Sequence, residues 1–237
     1  MTPLVVIRPQ PGCDATVAAA RAAGLDALGF PLFAIVPRDW QAPPSDSFDA
    51  LLIGSANALR HAGPALSAYR GMSAYAVGQA TAEAVRAAGL DVAASGQGGL
   101  QSLLERLLPE HSRLLRLSGE LRVDLAPPPG VEITERVVYA SEPLPMPGEL
   151  AEWLRRPAVV MLHSGEAARH FAHLCDRGGV DRSRIALAAI GPRVAAAAGK
   201  GWSAAGIAGS PDDAALLALA REMCQRSRRS DDGQDSA

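Results

Sequence analysis

"SAYAVGQATAEAVRAAGL", residues 73–90, changes pattern half-way. Tyr75, Ala76 and Val77 form a short apolar run that meets Gly78, and an alanine-rich segment then runs to Gly89. That order reads as strand, tight turn, helix and helix stop. The first amides of a helix have no intrahelical partner, so a helix that opens on a glycine turn is ready for an anion. The pattern returns 113 residues later, where "ALAAIGPRVAAAAGKG" (186–201) places Gly191 at the position of Gly78.

A second block repeats as well. "LLIGSANALRHAG" (51–63) resembles "VMLHSGEAARHFA" (160–172), aligning Ser55 with Ser164. Two similar α/β lobes follow, one over 46–136 and the other over 146–226. The opening "PLVVIR" (3–8) is a strand too apolar for a wet face, with Asp14 as cap of a helix to about Ala23 and Gly24 as its stop. This βα unit is too small to bury a core alone, and we assign residues 1–36 to the C-terminal lobe. The extended stretches "FPLFAIVP" (30–37) and "RVVYASEPLP" (136–145) then both cross between lobes, inside linkers at 30–45 and 136–146, and pair as a two-stranded β linker. Apolar strands alternating with helices call for parallel sheets covered on both faces. Leu100, Leu103, Leu104, Leu107 and Leu108 share one helical stripe, and Leu216, Leu219, Ala220, Met223 and Cys224 share another, opened by Ser210 as N-cap and Pro211. The charged tail 227–237 is expected to be disordered.

Composition removes several function classes. The 237 residues carry a net charge of −2, so nothing draws the chain toward nucleic acid or an anionic membrane. No apolar run reaches the ~18 residues of a membrane span. The first residues lack the pattern of an export signal, and Cys13, Cys175 and Cys224 are odd in number and scattered, as in a reducing cytoplasm. "GPRVAAAAGKG" has its glycines wrongly spaced for a phosphate-binding loop and no Ser or Thr after Lys200, and "SGQGG" lacks the third glycine of a dinucleotide turn. His163, His170 and His173 do not make a metal set, so no metal is expected. "GSANA" and "HSGEA" carry serine at strand ends without the spacing of a nucleophile elbow.

The remaining chemistry lies in strand-end turns rich in amides and hydroxyls. These are Ser55, Ala56 and Asn57; Gly78 to Thr81; Ser118, Gly119 and Glu120; Ser164 and Gly165; and Gly191 with Pro192. Parallel sheets bind ligands beyond the carboxyl ends of their strands, so two facing lobes would line one cleft with these turns.

The ordered set "RP" (8–9), "GSANA", "AVGQATAEAVRAAGL", "LLRLSGE", "VVYAS", "LHSGEAARHF", "AAIGPRVAAAA" and "GSPDDAALLAL" resembles the uroporphyrinogen-III synthase family. The resemblance covers the chain except its tail. It implies two flavodoxin-like parallel-sheet lobes joined by a two-stranded β linker. It also implies a cyclising hydro-lyase that closes hydroxymethylbilane to uroporphyrinogen III, with inversion of ring D and loss of water, without a cofactor. Tyr139 matches the family's tyrosine beside the second linker, a proton donor for hydroxyl departure. Thr81 matches a hydroxyl position, Ser55 and Ser164 match paired strand-end serines, and Val194 stands where the second repeat often has Thr. Arg8, Arg116 and Arg122 are candidates for the ligand's acid groups. The short "LRVDLAPPPG" (121–130) implies that a family helix is reduced or lost there. A cytoplasmic monomer is expected. The rival reading is a non-catalytic two-lobed relative that binds a tetrapyrrole or regulates its pathway; a sugar- or nucleotide-binding pair is disfavoured by the absent phosphate motifs.

Overall fold

The structure is a computed structural model, and it describes residues 2–96 and 98–232. The chain divides into two compact units, Met1–Ala34 with Pro143–Ala237, and Ile35–Glu142.

The first unit is built on a five-stranded sheet with order β11-β10-β9-β1-β2. Its strands are β1 (Leu4–Val6), β2 (Ala27–Gly29), β9 (Ala158–Leu162), β10 (Ile185–Ala189) and β11 (Ala204–Ile207). All its pairings are parallel, and β1 lies against β9 with Leu4 beside Val159 and Val5 beside Val160. The opening strand thus lies between its sequence neighbour β2 and β9 from the C-terminal half of the chain. Successive side chains point to opposite faces. Val5, Ile7, Val160, Leu162 and Leu187 pack under α5 (Gly148–Trp153), α6 (Gly165–Arg177) and α7 (Pro192–Ala197). Leu4, Val6, Val159, Met161 and Ala188 pack under α1 (Gly12–Ala22) and α8 (Asp213–Asp232). Covering one such side chain is worth about 1.5–3 kcal/mol, which is why these strands are apolar at every position.

The second unit holds a six-stranded sheet of order β3-β8-β7-β4-β5-β6. Its strands are β3 (Phe33–Pro37), β4 (Ala50–Ile53), β5 (Ser73–Val77), β6 (Asp91–Gly96), β7 (Arg113–Gly119) and β8 (Glu132–Pro143). From β8 to β6 the neighbours run parallel. The strands β3 and β8 are antiparallel: Arg38 N donates to Val138 O and Leu144 N to Leu32 O, so one number rises as the other falls. Leu51, Ile53, Leu115 and Leu117 face α2 (Ala56–His61) and α3 (Gln79–Ala87). Ala50, Leu52, Tyr75 and Leu114 face α4 (Leu100–Leu104). Strand for strand, β6-β5-β4-β7-β8 repeats β11-β10-β9-β1-β2, with β3 added outside.

Several local expectations are corrected. The first helix begins at Gly12, and Asp14 sits inside its first turn, where Gln10 Nε2 donates to it at 2.8 Å, so it is no cap. Asp212, rather than Ser210, caps α8: its Oδ1 accepts from Ala215 N at 2.8 Å, while the Ser210 hydroxyl donates to its Oδ2. An ionised carboxylate is the stronger acceptor of the two. The helix α4 ends at Leu104, and Leu108, which precedes Pro109 and is thereby pushed out of helical geometry, is exposed. The stretch from 136 is the body of a twelve-residue strand, β8, that has already paired with β7 from Glu132 onward. Into the charged tail, α8 continues to Asp232, because extending an existing helix costs far less than starting one. The rest of that tail, 233–237, lies outside the described residues. Residues 120–131 form no helix, as the short loop implied.

Candidate active site

In the second unit the strands β8, β7, β4 and β5 are consecutive neighbours, and parallel pairing brings their carboxyl ends to one edge. That edge collects Tyr139, Ser118, Gly119, Ser55, Ala56, Asn57, Gly78 and Thr81. Ser55 is the N-cap of α2, with its Oγ accepting from Asn57 N at 3.2 Å, and the Asn57 side chain in turn accepts from Arg60 Nη1. Gly78 opens α3 with φ +77°, a left-handed value that other residues adopt only at a cost, and caps it with no side chain. The amides of Gln79, Ala80 and Thr81 follow as the free first turn of a nine-residue helix. Thr81 is buried at its third position.

Ser118 and Gly119 end β7 back to back. The buried Ser118 Oγ has no hydrogen-bond partner among the described residues. Gly119 pairs with Tyr139, whose ring lies against it, and Glu120 N donates to Tyr139 O at 3.0 Å. The His61 ring stands 6.3 Å from the Tyr139 ring, and burial, helped by Arg60, holds its pKa below the usual imidazole value. His61 is not among the candidates named from the sequence; the signal that marks it is the repeat, in which "ALRH" (58–61) aligns with "AARH" (167–170). The equivalent His170 Nε2 is 2.8 Å from Leu144 O and its ring meets Phe33 edge-on.

In the first unit β10, β9 and β1 are neighbours, and Gly191, Ser164, Gly165 and Arg8 follow their carboxyl ends. Ser164 caps α6, its Oγ accepting from Ala167 N at 3.1 Å, while Glu166 puts a negative charge into the same turn. Gly191 has φ −171°, an extended value open to any residue, so the repeat keeps its glycine here without the backbone reason that Gly78 has. Pro192, as first residue of α7, removes one amide from that turn.

The arginines are already engaged. Arg116 is buried, with Nη1 on Glu135 and Nη2 on Val123 O, and Arg122 Nε donates to the other oxygen of Glu135. Arg8 Nη1 donates to Asp213 Oδ2 at 2.6 Å. Beside it, His163 is held near pKa 4, first by burial and then by the Arg8 charge, with Asp213 opposing. Thiols are silent: burial pushes Cys13 up to about 11 and Cys175 up to about 12, so neither is a nucleophile at neutral pH. Among the described residues no cluster of three His, Cys, Asp or Glu is arranged to hold a metal, and no helix is long and apolar enough to cross a membrane.

A family model described as uroporphyrinogen-III synthase HemD matches residues 14–218. The chain belongs to the uroporphyrinogen-III synthase family. Its fold is similar to the solved uroporphyrinogen-III synthetase of Helicobacter pylori, with a TM-score of 0.67 at 19% identity over 94% of this chain and 100% of that one. It is also similar to a mutant uroporphyrinogen III synthase of Thermus thermophilus, with a TM-score of 0.52 at 16% identity over 96% and 100%. At such identities these likenesses speak for the fold alone. No curated protein sequence matches the chain. The family's reaction is the cyclisation of hydroxymethylbilane to uroporphyrinogen III in tetrapyrrole biosynthesis, with ring D inverted and water lost, and the enzyme is a lyase.

Proposed function

We propose that this chain performs the family's cyclisation with its strand-end turns as carboxylate subsites and with Tyr139 as proton donor. The observation that carries the reading is the family match along residues 14–218. The substrate is an open-chain tetrapyrrole whose side chains end in carboxylates. Free amides at the start of α3 suit such groups, and the Ser55 and Ser164 hydroxyls, already accepting from their helices, retain a proton to donate.

The reaction needs little from the protein beyond geometry. The bilane closes unaided to the uninverted ring, so the enzyme holds the reactive conformer that gives the inverted one. As the terminal C–O bond breaks, the Tyr139 phenol gives its proton to the departing oxygen and water leaves. Backbone dipoles aimed at the carboxylates cost no reorganisation when charge moves. The buried thiols of Cys13 and Cys175 support work in a reducing compartment such as the cytoplasm. A monomer is part of this reading and is checked by sedimentation.

The test uses purified protein with freshly generated hydroxymethylbilane and no added metal or coenzyme. The expected product is mainly the type III isomer. Type I isomer alone, formed at the rate without enzyme, overturns the reading.

A further inference from the structure

Three groups from distant parts of the chain meet at the carboxyl ends of β1 and β9. Arg8 follows β1, His163 follows β9, and Asp213 is the first residue of α8. Arg8 Nη1 lies 2.6 Å from Asp213 Oδ2 and 3.3 Å from Thr16 Oγ1. His163 Nε2 lies 3.6 Å from Asp213 Oδ1, too far for a hydrogen bond, and neither ring nitrogen has a partner among the described residues. The arrangement is rigid on one side and loose on the other. A Cβ on Gly12 would fall 2.7 Å from Arg8 Nε, so the guanidinium rests directly on the start of α1. The His163 side chain is 9% exposed and that of Arg8 28%, whereas that of Asp213 is 58% exposed.

A neutral imidazole always carries one N–H, and a buried donor without an acceptor is costly. Asp213 satisfies Arg8 and leaves His163 unsatisfied. A carboxylate seated slightly deeper would take hydrogen bonds from both. We propose that Arg8 and His163 form a carboxylate subsite, and that Asp213 is a resident carboxylate that fills it incompletely until an acid side chain of the substrate displaces it. This rests on the reading of the strand-end turns as the substrate site. Asp213 is free to swing into water, since an exposed ion pair is weak, while Arg8 and His163 keep their places. The internal repeat gives the subsite a purpose. Position 163 aligns with Gly54, so the other unit has no counterpart, and the feature distinguishes one acid arm of the bilane from the rest. An enzyme that selects one conformer of a nearly repetitive chain needs such an asymmetry.

The test is Asp213→Asn, which keeps the shape and removes the competing charge, with Asp213→Ser as a second variant suited to a helix start. KM for hydroxymethylbilane is expected to fall about two- to fivefold, the worth of an exposed ion pair. The fall is expected to vanish in an Arg8→Met background, and His163→Phe alone is expected to raise KM. Independently of turnover, acetate is expected to shift the ring ¹⁵N–H signal of His163, saturating at lower concentration in Asp213→Asn than in the parent. An unchanged or raised KM in both Asp213 variants at retained melting temperature overturns the proposal. So does an equal fall without Arg8, or a His163 signal indifferent to acetate. A parent protein that makes no type III isomer overturns the catalytic reading instead, and the acetate titration then decides the subsite by itself.

Discussion

A Cβ placed on Gly119 falls 2.7 Å from Cζ of Tyr139, 2.8 Å from Cε2 and 3.0 Å from the hydroxyl oxygen. The backbone of Gly119 is not in the left-handed region, so its glycine answers to the Tyr139 ring and to nothing else that the geometry shows. The last residue of β7 thereby seats the phenol of β8 across one pair of the sheet. Gly119→Ala must push the ring away, and kcat is expected to fall with it. Tyr139→Phe keeps the ring and deletes the proton, with an expected loss of about 10²-fold or more in kcat. Steady-state assay of both variants checks this. Undiminished kcat in Tyr139→Phe reduces the tyrosine to a wall of the site.

The repeated glycines Gly78 and Gly191 separate backbone need from ligand need. Gly78→Ala forces a side chain to φ +77° and is expected to cost about 1–2 kcal/mol, a drop of several degrees in Tm. Gly191→Ala meets no atom within 4 Å at an extended φ, and its stability is expected to stay within about 0.5 kcal/mol of the parent. Raised KM in that stable variant would mark Gly191 as a point where the substrate approaches the main chain. Unchanged KM removes Gly191 from the site.

Which parts of this were legible in the sequence follows from the range of the interactions. Strand and turn are local, so "YAVGQAT" and "LLIGSAN" disclosed both the parallel sheets and the edge where their turns gather. The choice of acceptor at a helix start is a contest among neighbours, and it went to Asp212 over Ser210 by the strength of a charge. Long-range pairing was out of reach. Arg8 reads as a free cation until Asp213, 205 residues away, closes on it. Arg116 reads the same way until Glu135 arrives beside it from β8. His163 reads as an ordinary histidine outside any metal set; only its burial, with neither ring nitrogen hydrogen-bonded among the described residues, singles it out.

That burial sets a pH dependence. His163 has its pKa lowered to about 4 in the folded chain, against an ordinary imidazole value near 6.5 when unfolded. Between those values the unfolded chain binds a proton that the folded chain refuses. Stability from this group is therefore full above pH 6.5, falls as pH drops toward 4, and changes no further below. The size is on the order of 1–3 kcal/mol. His163→Phe has no proton to refuse, so its melting temperature is expected to decline less than the parent's from pH 6.5 to 4. Parallel curves for the two proteins across that window contradict the assignment.

The turn that opens α3 and the one that opens α7 should contribute unequally to substrate binding. Thr81 and Val194 are the third residues of their helices, at equivalent places in the repeat, but the first brings a hydroxyl and the second a methyl. Pro192 further withholds an amide from the second turn. Thr81→Val preserves shape and deletes the hydroxyl. Where that leaves a buried substrate oxygen unpaired, the cost is roughly 1–3 kcal/mol, or about tenfold to a hundredfold in kcat/KM. Val194→Ala loses some packing against the core of its unit and no polar group, so kcat/KM per folded molecule is expected to change far less. The two effects separate when kcat/KM and thermal unfolding are measured on the same preparations. A purely structural threonine, buried in the wall of α3, would lower Tm on replacement and leave kcat/KM of the folded fraction where it was. Equal efficiency in Thr81→Val and the parent would thus defeat the binding role, whereas a loss at unchanged Tm leaves the substrate as the hydroxyl's partner.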